Sequence, residues 1–162
     1  MKNNNFLEII IPGEPIAQPR HRVSFQARRI YDPLSNIKKK FTLNDSIISL
    51  PTESNHFFND KPMGVEFRFF CGRPKSHFKK SVKLPPNSVI KPNFLHCDKL
   101  TIPDIDNYLK FYLDLFQIIN LNGKNSDPII KNDNLVINIK ASKFYIKQDQ
   151  APETVIKLYN IV

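Results

Sequence analysis

The chain is poor in acid. Asp and Glu total 15 against 24 Lys and Arg, a formal net charge of +9. That imbalance points to a polyanionic partner. Cysteine is scarce as well. Cys71 and Cys97 stand 26 residues apart with no second pair, so the four locally spaced ligands of a structural zinc site are absent. Four Gly against 13 Pro favour stiff extended connections over flexible linkers. Trp is absent, and 13 Phe put the weight of the core on Phe, Ile and Leu. No window approaches the ~18 consecutive apolar residues of a membrane span. Met1 is followed by Lys2 and three Asn. No secretory signal is expected, and the chain reads as soluble and cytoplasmic, with reduced thiols and no membrane partner.

A length of 162 residues favours one domain over residues 1–162. Phe6 to Ile11 is an apolar run closed by Pro12-Gly13 and reads as a strand. Residues 23–25 and 29–31 suit a small hairpin. Asp32-Pro33 opens a predicted helix over 34–50, with Ile37, Phe41, Ile47 and Ile48 on one face and Lys38, Lys39 and Lys40 partly exposed. Val65 to Cys71 alternates with period two, which puts Val65, Phe67, Phe69 and Cys71 on a core face. A second helix is expected over 105–120, about 24 Å long at 1.5 Å per residue. Strands follow at 135–141 and 155–159, joined by a hairpin through 148–152. The sum is an α+β domain, a small mixed sheet with two main helices packed on it.

Basic residues collect in two places. Arg20, Arg22, Arg28 and Arg29 lie in an irregular N-terminal stretch. Arg73, Lys75, Lys79, Lys80, Lys83 and Lys91 lie in a segment without acid, where Pro74, Pro85 and Pro86 forbid a regular helix. This second segment, about 73–93, reads as a mobile basic loop, and both clusters suit a nucleic-acid backbone.

The scarce acids converge on Pro103-Asp104-Ile105-Asp106-Asn107-Tyr108-Leu109-Lys110, with Asp114 one turn later. On a helix, Asp106, Asn107, Lys110, Asp114 and Gln117 form one polar stripe, and the other faces are apolar. Such a helix is buried on more than one side, inside the domain or against a partner subunit. One Asp at a helix start is most often a cap. Two Asp with an Asn and a stripe Lys favour chemistry, with Lys110 and Asp114 also able to act as salt partners on the stripe. A third carboxylate is needed from elsewhere. Asp133, just before a strand, is the candidate, and Asp127 competes with it. Three carboxylates and a lysine match metal-assisted phosphodiester cleavage. Mg2+ (or Mn2+ in its place) would activate a water, and Lys110 would offset charge on the phosphate.

These residues resemble the core of the RusA family of Holliday junction resolvases, Asp-(Leu/Ile)-Asp-Asn-Leu-x-Lys followed by a further Asp. Asn132-Asp133-Asn134-Leu135-Val136 is similar to the family's second acidic element, which leads into a strand ending here in Lys140, Lys143, Phe144 and Tyr145. Pro12-Gly13-Glu14-Pro15, Pro19-Arg20-His21-Arg22 and Tyr31-Asp32-Pro33 look like the opening of phage and Gram-positive members. The resemblance implies a homodimeric, Mg2+-dependent endonuclease that cuts four-way DNA junctions by paired nicks in recombination and repair. It assigns metal binding and catalysis to Asp104, Asp106 and Asp133 and catalysis to Lys110, while the helical stripe adds Asn107 and Asp114 as support. Three departures stand out. Ile102 replaces the Lys that usually precedes Pro-Asp, Asn132 replaces the first Asp of the second pair, and the spacer before Asp133 is long.

Two other readings compete. One is a DNA-binding module whose aspartates only cap and pair. The other takes Asp104-Ile105-Asp106 as the DxD of a sugar-nucleotide transferase, against which stand the short basic chain and the missing Gly-rich phosphate turn. Metal separates the first from the nuclease. Millimolar Mg2+ is expected to raise the melting temperature of the wild-type chain and to leave Asp106→Asn unmoved. Equal melting temperatures with and without Mg2+ in both proteins would return the aspartates to capping.

Overall fold

Period-two patterning builds the sheet. In the computed structural model, strands run Phe6–Pro12 (β1), Arg22–Ser24 (β2), Arg29–Tyr31 (β3), Ile47–Ser49 (β4), Met63–Cys71 (β5), Val136–Tyr145 (β6) and Glu153–Asn160 (β7). The helices are Ser35–Lys40 (α1) and Ile105–Phe116 (α2). The structure describes residues 6–19, 22–24, 29–31, 33–41, 43, 46–49, 61–78, 90–95, 98, 101–119, 128–147 and 149–161. Five strands form one sheet in the order β4-β1-β7-β5-β6, with β5 and β6 parallel and the other pairs antiparallel. β2 and β3 pair as the expected hairpin. The fold is α+β, a mixed sheet with two helices, as the patterning predicts.

Register defines two faces. Ile48, Ile9, Ile156, Phe67 and Ala141 form one row across all five strands. This apolar face carries Val65, Phe67, Phe69 and Cys71, all fully buried. The adjacent row, Ser49-Glu8-Lys157-Glu66-Lys140, lies on the opposite face and alternates in charge. Lys157 pairs with Glu8 at 3.2 Å and Lys140 with Glu66 at 4.0 Å. Half-exposed pairs of this kind contribute about 0–1 kcal/mol each, and they keep that face wet.

α2 lies on the apolar face. Tyr108, Phe111, Tyr112, Leu115 and Phe116 are buried against the strands. The Tyr108 ring stacks on Phe69 at 4.9 Å, and Tyr112 tilts against Phe69 at 5.7 Å and Phe67 at 6.4 Å. The phenols are satisfied where they are buried, as they must be. The Tyr108 hydroxyl meets the Cys71 thiol at 3.5 Å, and the Tyr112 hydroxyl meets Thr154 Oγ1 at 2.9 Å and accepts from the Ile16 N–H at 3.2 Å. The chain reaches Ile16 through Gly13, whose φ of 101° turns the end of β1 back while its N–H donates to the Pro152 carbonyl.

Four expectations need correction. The helix over 34–50 stops at Lys40, Phe41 is extended, and residues 47–49 form β4 instead. Asn44, Asp45 and Ser46 favour turns over helix interiors, and β-branched Ile47 and Ile48 complete the open edge of β1. Lys38 is buried, with a consequence at the site described below. α2 ends at Phe116, where the Ile118 N–H tightens onto the Leu115 carbonyl, so its 12 residues span about 18 Å. Residues 148–152 join no hairpin, because β6 and β7 flank β5 on opposite sides. β5 is the most buried strand and lies between them. No described helix is long and apolar enough to cross a membrane.

Burial pushes both phenols above the ordinary tyrosine range. Desolvation leads for Tyr108, with the Cys71 hydrogen bond adding to it; for Tyr112 desolvation outweighs the hydrogen bonds to Thr154 and Ile16, which pull the other way. Unfolded tyrosines ionise near pH ~10. Above that pH the unfolded chain releases protons that the folded chain keeps, so stability falls as pH rises. Urea midpoints are expected to drop between pH ~9 and ~11, and Tyr108→Phe should flatten the drop.

Candidate active site

The acidic pair sits at the start of α2. Asp104 is the N-cap residue, with φ −69° and ψ 154°, and its carbonyl accepts the first helical bond from Asn107 N–H at 3.2 Å. Its carboxylate makes no capping hydrogen bond. Asp106 lies in the first turn, and both aspartates are exposed. A helix N-terminus favours negative charge through its unpaired N–H groups. Lys110 is exposed one turn further along the same stripe.

Four hydrogen bonds fix this end of the helix. The Gln18 N–H donates to the Asn107 carbonyl at 2.8 Å, tying the segment after β1 to the first turn. The Lys143 ammonium on β6 donates to the carbonyls of Thr101 at 2.8 Å and Pro103 at 2.9 Å. The hydroxyls of Thr101 and Tyr145 hydrogen-bond at 2.8 Å.

Asp114 takes a different role from that of a partner for Lys110. It accepts a hydrogen bond from Lys38 Nζ at 2.8 Å, and the two side chains are 40% and 4% exposed. The same ammonium lies over the Phe111 ring at 5.7 Å. The expected exposure of Lys38 is thus overturned by α1 packing against α2, where a carboxylate and an aromatic face receive the charge. Nothing in the one-dimensional pattern links residues 38 and 114.

Asp133 opens a 3-10 turn, Asp133–Leu135, just before β6, and is exposed. Asn132 caps that turn, its Oδ1 accepting from Asn134 N–H at 3.0 Å. This stretch is attached to the far end of α2, through Ile130 N–H to the Phe116 carbonyl and Ile129 N–H to the Ile119 carbonyl. Asp133 and the Asp104–Asp106 pair therefore lie at opposite ends of a helix about 18 Å long. Among the described residues, no three His, Cys, Asp or Glu side chains gather within reach of one metal ion. At the start of α2 a hard cation would meet two exposed carboxylates, on Asp104 and Asp106. Asp127 lies outside the described residues.

The basic residues are unequally described. Arg20, Arg28, Lys79, Lys80 and Lys83 fall outside the described residues, and for Arg22 and Arg29 only the strand backbone is described. Lys75 is exposed in the 3-10 turn Lys75–His77. Arg73 is half-buried and engaged, its Nε donating to the Ile146 carbonyl at 2.7 Å and its guanidinium lying 5.4 Å over the Tyr145 ring. Its first task is structural. Sequence reasoning gave no role to Gln18, Lys38 or Thr101. Lys143 and Tyr145 were visible only as a basic and an aromatic residue at a strand end.

A family model described as endodeoxyribonuclease RusA matches residues 12–159. An uncharacterized Bacillus subtilis (strain 168) protein, YqaN, is 25% identical over 146 residues, covering 88% of this chain and 89% of that one.

The Lys38–Asp114 pair carries a stability prediction. Breaking a fully buried ion pair by removing one partner costs about 3–5 kcal/mol, and the exposure of Asp114 reduces this. Asp114→Ala should lower unfolding free energy in urea by roughly 1–3 kcal/mol, and Lys38→Met, which keeps an apolar stem over Phe111, should cost less.

Proposed function

Since the chain belongs to the RusA endodeoxyribonuclease family, we propose that it is a homodimeric, Mg2+-dependent nuclease that resolves four-way DNA junctions by paired nicks. The observation that carries this reading is Asp104. It occupies the capping position of α2 and leaves its carboxylate out of the cap, beside an equally exposed Asp106. Two carboxylates held apart from structural duty in an acid-poor chain are the donor type that a hard cation takes. Mg2+, or Mn2+ in its place, would supply charge neutralisation and an activated water when bound. Lys110, on the same stripe, would meet the phosphate, and Lys75 with the other basic residues would hold the backbone.

The length of α2 sets a condition on this reading. One chain cannot close a site from Asp104, Asp106 and Asp133. A two-fold dimer in which the α2 helices run antiparallel would bring the partner's Asp133 to the acidic pair, twice over. The surface for such a contact is apolar. Leu109 and Leu113 are half-buried on one flank of α2, and Ile137 and Ile139 on the edge strand β6 are 61% and 44% exposed. Ile139 stands level with Val65, on the helix side of the sheet. Two equivalent sites also suit symmetric cleavage of a two-fold junction.

Two experiments test this. Purified protein with Mg2+ should nick a synthetic four-way junction in symmetric strands, and Asp106→Asn should bind the junction without cutting. Intact junctions with both Mg2+ and Mn2+ would sink the enzyme reading and leave a DNA-binding module. For the shared site, Asp106→Asn and Asp133→Asn are each expected to abolish nicking alone. Mixed after denaturation and refolding, they form hybrid dimers with one undamaged site and should recover single nicks. No recovery overturns the shared site.

A further inference from the structure

One group of contacts links the acidic pair to the foot of the basic segment through the end of β6. Lys143 and Tyr145 alternate along β6 on the helix side, level with Phe69 and Cys71. Lys143 gives two of its three N–H donors to the carbonyls of Thr101 and Pro103, the residues just before Asp104. Tyr145 is buried and hydrogen-bonds the Thr101 side chain at 2.8 Å. Residues 101–103 belong to no helix or strand. A rotation there would swing both aspartates. An ammonium bonded to two carbonyls on either side of Ile102 opposes that rotation.

Tyr145 also faces the basic segment. The Arg73 guanidinium lies 5.4 Å over its ring, and His77 meets it edge-on at 4.9 Å. Arg73 and His77 stand at the start of the basic segment. Its return is pinned to the same place, with Lys91 N–H donating to the His77 carbonyl at 2.9 Å, Lys91 Nζ to the Ser76 carbonyl at 2.7 Å, and Phe78 bridging to Ile90. The first foot of the basic segment therefore rests on Tyr145, the return is pinned to that foot, and the Tyr145 hydroxyl holds the strap that carries the acidic pair.

We infer that Lys143 and Tyr145 are positioning residues that brace Asp104 and Asp106 and couple them to the described foot of the basic segment, Arg73 to Phe78, so that junction DNA held there by Lys75 tightens divalent-cation binding at the pair. Reciprocity then requires the cation to tighten the DNA by the same factor. The inference rests on the proposed metal role of the pair.

The test uses the full chain. Mn2+ affinity is read by electron paramagnetic resonance of the free ion, junction affinity by fluorescence anisotropy with EDTA or with Ca2+, and folding by thermal melts. Asp106→Asn is expected to lose Mn2+ binding. Lys143→Met should weaken Mn2+ about tenfold or more while junction affinity in EDTA stays within about threefold, and Lys143→Arg, which also spans two carbonyls, should recover most of the loss. Tyr145→Phe keeps the ring beneath Arg73 and should abolish the gain in junction affinity that Ca2+ gives the wild type. It remains informative where Lys143→Met lowers the melting temperature. A purely structural role would move metal affinity, junction affinity and melting temperature together, without rescue by Arg, and would overturn the brace. Loss of Mn2+ in Asp106→Asn with wild-type affinity in Lys143→Met overturns the brace alone. Mn2+ binding that survives Asp106→Asn overturns the metal role of the pair, and the brace with it.

Discussion

The seam between α2 and β5 decides where everything else can be. Phe67 and Phe69 on the strand meet Tyr108 and Tyr112 on the helix, and the two phenols are tied to Cys71, Thr154 and Ile16. Aromatic pairs of this kind add about 0.5–1.5 kcal/mol each beyond their buried area, and a satisfied phenol resists sliding as an apolar ring alone does not. A helix fixed in register on a strand has fixed ends. One end presents Asp104 and Asp106, and the other receives the stretch that leads to Asp133. The spacing of the candidate ligands is thus a property of the hydrophobic seam rather than of the acidic residues.

The charges divide according to the surface that each helix face meets. Toward the sheet α2 carries none. On the flank facing α1 it carries Asp114, matched by a buried Lys38. On the exposed rim it carries Asp106 and Lys110. A buried ammonium needs its carboxylate, so Asp114 is committed. The rim residues have no such obligation, and there the positive end of the helix favours an acidic pair. In a chain with +9 net charge, this rim is where a cation and a polyanion can meet on adjacent surfaces.

Legibility followed period and length. β5 was readable because four alternating apolar residues have a single buried face, and α2 because its polar stripe repeats at helical spacing. Residues 34–50 misled because Ile37, Phe41, Ile47 and Ile48 fit a helical face as well as they fit a short helix plus a strand. The choice was made by the vacant edge of β1, a tertiary fact. The order of β6 and β7 misled for a similar reason. Neighbours in sequence usually pair, but β5 can be buried on both sides only by lying between them. The acidic pair stood out by its spacing in an acid-poor chain. Its supports did not, since Lys143 acts on carbonyls about 40 residues away, and backbone acceptors leave no mark in a sequence.

The departures from the family pattern can be weighed on the same physical terms. Asn132 stands where an Asp is usual, yet its amide oxygen caps the turn before β6 as a carboxylate would. The exchange preserves local geometry and removes one negative charge beside Asp133, which leaves Asp133 the only acid of that turn. Ile102 stands where a Lys is usual and is 80% exposed, so no packing demand explains it. The Lys143 ammonium, bonded to the carbonyls on either side of Ile102, puts a positive charge at the same strap from the neighbouring strand. That ammonium takes its position from the sheet. In this chain the acidic pair, its supporting cation and the foot of the basic segment therefore all take their register from the end of β6.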